Sequence, residues 1–106
     1  LRRAMEILLL GERFGATQAR ELGIVNRVVP AAELDAAADA IVRSLAAGPA
    51  LAQRRIKRLV RDSIGRTLSE QLQAEALSFG ECTATADFAE GVTAFLAKRP
   101  PHFGRE

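Results

Sequence analysis

The sequence is poor in the side chains that most enzymes use for chemistry. Its 106 residues include one histidine and one cysteine, with no tryptophan and no tyrosine. His102 and Cys82 cannot supply the three or four ligands of a zinc site, so the sequence predicts no bound metal. A lone cysteine also excludes an intrachain disulfide and suits a reducing compartment, which predicts a cytoplasmic protein.

Other signals of chemistry are missing as well. None of the serines lies in the Gly-x-Ser-x-Gly turn of a serine hydrolase, and no glycine-rich phosphate loop occurs. No apolar run approaches the length of a membrane span, and the net charge of +2 is too small to indicate a polyanionic partner. The sequence therefore predicts no catalytic residue in this chain, no cofactor, and neither a nucleic acid nor a membrane as partner.

Apolar spacing predicts an all-α chain that forms a single unit over residues 1–106. The helices follow the helical period and are bounded by glycine, proline or capping residues. Thr67 and Glu70 have the spacing of a capping box, and Thr85 is a candidate cap for a last helix that runs from Ala86 to about Lys98.

Two helical segments carry more apolar surface than they can cover themselves. Apolar residues surround most of the first helix, residues 1–10, and a helix of that kind is buried on most sides. A second helix has an apolar stripe made of Leu34, Ala38, Ile41 and Leu45. We therefore expect association, and we expect the chain to be the C-terminal part of a longer polypeptide.

Glycine and proline mark the predicted breaks. Residues 24–29, between Gly23 and Pro30, are rich in β-branched side chains arranged as two pairs, which predicts a short extended connection and no sheet. Pro49 is expected in the first turn of a helix. The chain is expected to loosen at residues 80–84 before the last helix.

Residues 53–61 form a basic run that has two interpretations. Five cations in nine residues suit a helix that contacts nucleic acid or a membrane surface. However, Ile56, Leu59 and Val60 interleave at core spacing, and no aromatic residue is present to stack a base. The pattern favours a solvent-facing or intersubunit face of an amphipathic helix.

The last predicted helix places Gly91, Phe95 and Lys98 along one side, at positions i, i+4 and i+7. A mid-helix glycine costs about 1 kcal/mol relative to alanine, which indicates close packing beside it. An aromatic ring one turn from an ammonium group suits a planar base attached to phosphates. On these residues alone, a packed phenylalanine and a lysine with its stem along the helix are favoured over a binding site.

Two stretches of the chain resemble a known family. The segment from Met5 to Pro30, which contains Met-Glu-Ile-Leu-Leu-Leu-Gly-Glu-Arg and Glu-Leu-Gly-Ile-Val-Asn-Arg-Val-Val-Pro, resembles the start of the C-terminal region of the enoyl-CoA hydratase/isomerase (crotonase) superfamily. The segment from Asp87 to Phe103 resembles the last helix of the same family. The likeness covers essentially the whole chain in order and spacing, except that Pro100-Pro101 replaces a single proline or a lysine–proline pair.

This resemblance implies an enzyme that acts on acyl-CoA thioesters, with hydration of a 2-enoyl-CoA in fatty-acid or related metabolism as the expected reaction. It implies an α/β spiral core upstream of Leu1, followed by this helical region, and assembly as a trimer or a dimer of trimers. In that family two backbone N–H groups stabilise an enolate-like intermediate, while carboxylates handle proton and water chemistry. Those groups belong to the core, so the segment alone is expected to be inactive.

The resemblance also changes the interpretation of the last helix. It implies that Phe95 and Lys98 help to bind the adenine and phosphate end of CoA, which is part of the substrate and not a cofactor. Two interpretations remain: an acyl-CoA enzyme represented by its C-terminal region, and a helical assembly module without chemistry of its own. Nucleic-acid binding through residues 53–61 is a third and less favoured one.

Overall fold

All of the regular structure in the computed structural model, which describes residues 2–104, is helical. The α-helices are α1 (Arg2–Leu10), α2 (Ala16–Glu21), α3 (Leu34–Ala46), α4 (Ala50–Asp62), α5 (Leu68–Thr83) and α6 (Ala86–Leu96). Two short 3-10 turns, Ala31–Glu33 and Ser63–Gly65, precede α3 and follow α4. Residues 2–104 contain no strand, so the predicted all-α fold class is confirmed.

The helices belong to two compact units, one that ends at Ala40 and one that begins at Ile41. The boundary lies within α3. The assignment of residues 1–106 to a single domain of a longer polypeptide stays a prediction.

In the first unit, α2 ends at a glycine in the left-handed conformation, as the sequence predicts. Gly23 has a φ of 77°. Its N–H donates to the carbonyl of Arg20 at 3.0 Å, and the N–H of Ile24 donates to the carbonyl of Ala19 at 2.9 Å. These two hydrogen bonds form a Schellman motif. The segment that follows, residues 24–29, forms neither helix nor strand, in agreement with the predicted connection.

In the second unit, α4 packs against α5, and α5 packs against α6. The rings of Phe79 on α5 and Phe88 on α6 meet edge to face, with centroids 5.9 Å apart. An ion pair between Arg55 and Glu81 joins α4 to α5. These contacts hold α6, the helix that carries the candidate site, against α5.

Both predicted N-caps are confirmed. The N–H of Glu70 donates to Thr67 Oγ1 at 3.3 Å, and the N–H of Thr67 donates back to the Glu70 carboxylate at 2.8 Å. This reciprocal pair is a capping box. At the start of α6, the N–H of Phe88 donates to Thr85 Oγ1 at 3.2 Å.

Two predicted boundaries in the second unit are wrong. Pro49 is the N-cap of α4 and not a first-turn residue. The chain does not loosen at 80–84, because α5 continues through Gly80 to Thr83. Phe79 and Glu81, on either side of that glycine, both contact neighbouring helices, and packing of this kind outweighs the roughly 1 kcal/mol that a helical glycine costs.

Burial within the described residues is slight. Only Ala19 and Ala94 are buried among residues 2–104, and every large apolar side chain in this range is at least partly exposed. Leu8 and Leu9 of α1 are 78% and 75% exposed. Exposed apolar surface of this extent normally marks an interface. No helix in the described range is long and apolar enough to cross a lipid bilayer.

Candidate functional site

The end of α6 reverses the direction of the chain and places Lys98 just beyond the helix. Lys98 has a φ of 52°, in the left-handed region that glycine usually occupies. Its N–H donates to the carbonyl of Phe95 at 3.2 Å, and the N–H of Arg99 donates to the carbonyl of Ala94 at 3.1 Å. The two bonds form a second Schellman motif, with lysine in place of glycine.

This geometry corrects the predicted alignment of Gly91, Phe95 and Lys98. Since α6 ends at Leu96 and not near Lys98, the lysine does not continue the line of the other two residues along the helix. The left-handed backbone of Lys98 ends the helical path, and Pro100, which disfavours the helical conformation at Arg99, prevents the helix from resuming. Phe95 and Lys98 are nonetheless linked through their backbones, and both are exposed.

The Glu90 side chain binds the segment that follows the turn at Lys98. Its two carboxylate oxygens accept from the guanidinium of Arg99, at 2.7 Å from Nη1 and 2.9 Å from Nη2. The backbone N–H of His102 donates to the same carboxylate at 2.8 Å. We call this arrangement the Glu90 clasp. It combines a bidentate charged pair with a backbone bond, which is among the stronger hydrogen-bond arrangements in proteins.

Further along, the C-terminal tail, residues 99–104, is attached to α6 at two more points. The N–H of Gly104 donates to Asp87 Oδ1 at 2.9 Å. The ring of Phe103 lies over Gly91, where an added Cβ would sit 3.7 Å from Cε1 of the ring. The tail therefore packs beside the mid-helix glycine, but an added Cβ would make ordinary van der Waals contact with it, so the packing does not require glycine at this position.

The clasp changes the acidity of both partners. The hydrogen bonds from Arg99, and after them the one from the His102 backbone, lower the pKa of Glu90 from 4.5 to about 2. The same pairing with Glu90 raises the pKa of Arg99. Glu90 is therefore an ionised carboxylate whose oxygens are occupied, which suits a structural role better than proton transfer.

An apolar groove of about 380 Å³ runs beside α6. Its volume lies within the usual range for small-molecule sites. Phe95, whose side chain is 82% exposed, forms part of its lining. The other lining residues come from α4, α5, α6 and the segments next to them, and they are Pro49, Leu51, Ala52, Cys82, Thr85, Asp87, Phe88, Gly91, Val92, Leu96 and Phe103.

The basic run on α4 is partly neutralised within the chain. Arg55 pairs with Glu81, and Arg58 Nε lies 3.6 Å from Asp62 Oδ2. Asp62 also receives Arg66 Nη2 at 3.0 Å. These pairs support the interpretation of the run as a solvated or intersubunit face.

Within residues 2–104 there is no group of three or more histidine, cysteine and acidic side chains placed to hold a metal ion. The side chain of His102 is exposed, and only its backbone joins the clasp.

Sequence reasoning missed the clasp and its neighbours, Glu90, Arg99, Asp87 and Phe103, as a unit. Glu90 and Arg99 are nine residues apart, which corresponds to no helical repeat. The sequence signal nearest to them is Pro100-Pro101, which marks the end of the helix but does not specify the return of the tail to α6.

Comparison with known proteins identifies the family of this helical region. The model of the enoyl-CoA hydratase/isomerase family matches residues 1–106. The chain is 40% identical over 101 residues to a Rhodobacter capsulatus protein named "probable enoyl-CoA hydratase", and 39% identical over 101 residues to a 1,2-epoxyphenylacetyl-CoA isomerase of Escherichia coli. Each match covers 95% of this chain.

The fold agrees with these matches. A crystal structure of an enoyl-CoA hydratase subunit from Geobacillus kaustophilus superposes on all of this chain with a TM-score of 0.91 and 40% identity. The chain belongs to the enoyl-CoA hydratase/isomerase family. It spans 39% of the Rhodobacter protein, 38% of the Escherichia protein and 41% of the Geobacillus structure.

The acidity of Glu90 gives a first test of the site. Arg99→Gln is expected to move the pKa of Glu90 from about 2 back towards 4.5, because it removes the largest cause of the shift. Carbon-13 NMR of the Glu90 carboxyl group measures this. Since folding lowers this pKa, the stability that the carboxylate contributes is fully present above pH 4.5 and is lost as pH falls towards 2.

Arg55→Gln is the matched control, because it breaks the Arg55–Glu81 ion pair without touching the tail. The Glu90 titration should be unaffected by it. A Glu90 carboxyl that titrates at the same pH with and without the Arg99 guanidinium would contradict the clasp.

Proposed function

We propose that this chain is the C-terminal region of an enzyme that acts on acyl-CoA thioesters, with hydration of 2-enoyl-CoA as the reaction. Family membership and the names of the relatives support the reaction class. The observation that carries the CoA assignment is the pair of exposed side chains at the end of α6, Phe95 and Lys98. We further infer a cytoplasmic enzyme of fatty-acid or related acyl-CoA metabolism.

The chemistry of these two side chains suits the nucleotide end of CoA. The Lys98 ammonium is a compact charge that can neutralise a phosphate oxygen. The Phe95 ring is 82% exposed and offers a flat apolar face to adenine. The hydrogen bond from Lys98 N–H to the Phe95 carbonyl, at 3.2 Å, fixes the backbones that carry the two groups.

The reacting end of the substrate is assigned to the rest of the polypeptide. Two of the acidic side chains in residues 2–104, Glu70 and Glu90, serve a helix cap and the clasp. We assign the oxyanion hole and the acid–base carboxylates, which the resemblance implies, to a core upstream of this region. Relatives that match this region include both a hydratase and an isomerase by name, so the reaction type is decided by that core.

The second role of the segment is assembly, as a trimer or a dimer of trimers. It is supported by the exposed apolar residues on α1 and α3, among them Leu34 and Leu45, which are 59% and 56% exposed. The same surface favours the alternative function, a helical assembly module without chemistry of its own. The two functions differ in whether CoA binding depends on Lys98.

Lys98→Ala in the full-length enzyme is expected to raise KM for the acyl-CoA substrate roughly tenfold, with much less effect on kcat. The reason is that a phosphate contact far from the reacting carbons is made equally in the ground state and the transition state. Steady-state kinetics with crotonyl-CoA and with its pantetheine analogue, which lacks the nucleotide, measures this. The analogue should show almost no difference between variant and wild type.

Lys57→Ala is the matched control, because it removes the other lysine of the chain from the exposed face of α4. Its KM should be unchanged. If Lys98→Ala lowered kcat on both substrates and left KM unchanged, Lys98 would act in structure or catalysis and the CoA assignment would fail.

The isolated 106-residue chain is expected to have no hydratase activity, because the groups that stabilise the enolate and transfer protons are assigned to the missing core. Hydration of crotonyl-CoA by a purified preparation is the measurement, with the full-length enzyme as positive control. Turnover that co-purifies with the chain through several steps would overturn the assignment of catalysis to the core.

The chain is also expected to self-associate, because burying Leu8 and Leu9 removes apolar surface from water. Sedimentation velocity over a range of concentrations measures the association. Replacing both leucines by serine should weaken it, whereas Glu6→Ser, an exposed polar change on the same helix, should not. A wild-type chain that sediments as a monomer at high concentration would contradict the proposal.

A further inference from the structure

We propose that Glu90 is a positioning residue for Lys98: by holding Arg99 and the His102 backbone, it fixes the left-handed turn from which Lys98 reaches the phosphates of CoA. The inference rests on the proposed CoA role of Lys98 and adds to it a residue that touches no ligand.

The first step is that the turn at Lys98 needs support. A residue other than glycine pays a steric cost in the left-handed region. Such a conformation persists only where the surrounding structure determines it. At the corresponding turn after α2 the residue is Gly23, which avoids this cost.

The second step is that the clasp is built to supply this support. It begins at Arg99, the residue directly after Lys98, and returns it to α6 through two hydrogen bonds of 2.7 and 2.9 Å. The bond from the His102 N–H at 2.8 Å fixes the chain three residues further on. With Arg99 and His102 both held to one carboxylate on α6, the backbone at Lys98 has little freedom to leave its turn.

The third step concerns charge. A carboxylate close to a phosphate site would repel the ligand, but the Glu90 charge is compensated by Arg99 in a bidentate pair. Arg99 is occupied by the same pair, so phosphate binding falls to the adjacent cation, Lys98. Glu90 therefore acts on the ligand only through the position of Lys98.

A double-mutant cycle separates this role from a general effect on folding. CoA affinity is measured by titration calorimetry on the full-length enzyme for wild type, Glu90→Gln, Lys98→Ala and the double variant. Glu90→Gln is expected to weaken CoA binding by up to the roughly tenfold loss of Lys98→Ala, and the double variant should bind no more weakly than Lys98→Ala alone. Pantetheine, which lacks phosphates and adenine, should bind all four proteins equally.

Trypsin provides a readout that does not depend on the ligand. Cleavage after Lys98 needs the turn to open, whereas the bond after Arg99 is protected by Pro100. Glu90→Gln should be cut after Lys98 faster than wild type. Glu81→Gln, which breaks a Glu–Arg pair on α5, is the control and should be cut at the wild-type rate.

The outcomes distinguish the two proposals. If Lys98→Ala leaves CoA affinity unchanged, the proposed function is overturned, and the role of Glu90 with it. If Lys98→Ala weakens binding but Glu90→Gln does not, or if the losses add in the double variant, the proposed function stands and this inference is overturned. Should Glu90→Gln fail to fold, Arg99→Gln breaks the same pair from the other side and enters the cycle in its place.

Discussion

The bidentate pair between Glu90 and Arg99 is the interaction on which the geometry of the candidate site depends. It turns the C-terminal tail back along α6, where Asp87 and Gly91 provide two more contacts. Without that return, the chain after the helix would extend into solvent, and Lys98 would occupy an unsupported left-handed turn. A lysine at a position where glycine avoids the cost indicates that its side chain has a use.

The features that could be predicted from the sequence are local ones. The capping box at Thr67, the cap at Thr85 and the left-handed Gly23 each depend on residues within a few positions of one another. The clasp depends on residues brought together by a reversal, so helical periodicity does not reveal it. The predicted line of Gly91, Phe95 and Lys98 is wrong because it assumes a helix that continues to Lys98, whereas α6 ends at Leu96 and Lys98 has a left-handed backbone. Phe95 and Lys98 themselves remain the candidate residues, now linked by a turn.

The slight burial of the described residues leaves the apolar faces of these helices largely uncovered by residues 2–104. Alanines, Ala19 and Ala94, are the buried residues between positions 2 and 104, while leucines on α1 are mostly exposed. Helices of this length gain most of their stability from packing an apolar face, not from intrinsic propensity. The chain spans 39% of the Rhodobacter relative. Under the proposed function, these faces are covered by the rest of the polypeptide or by other subunits.

Under the proposed function, a nucleotide site at the end of α6 also accounts for the different activities in the names of the relatives. Adenine and phosphates are present in every acyl-CoA, whatever the acyl group and whatever reaction it undergoes. Contacts made to them provide binding energy in the ground state and the transition state alike, so they do not select a reaction. A region of this kind can therefore resemble, at 40% and 39% identity, both a protein named a hydratase and one named an isomerase. The Glu90 clasp then positions Lys98 to bind the nucleotide end that all acyl-CoA substrates share, and the core determines which reaction the acyl group undergoes.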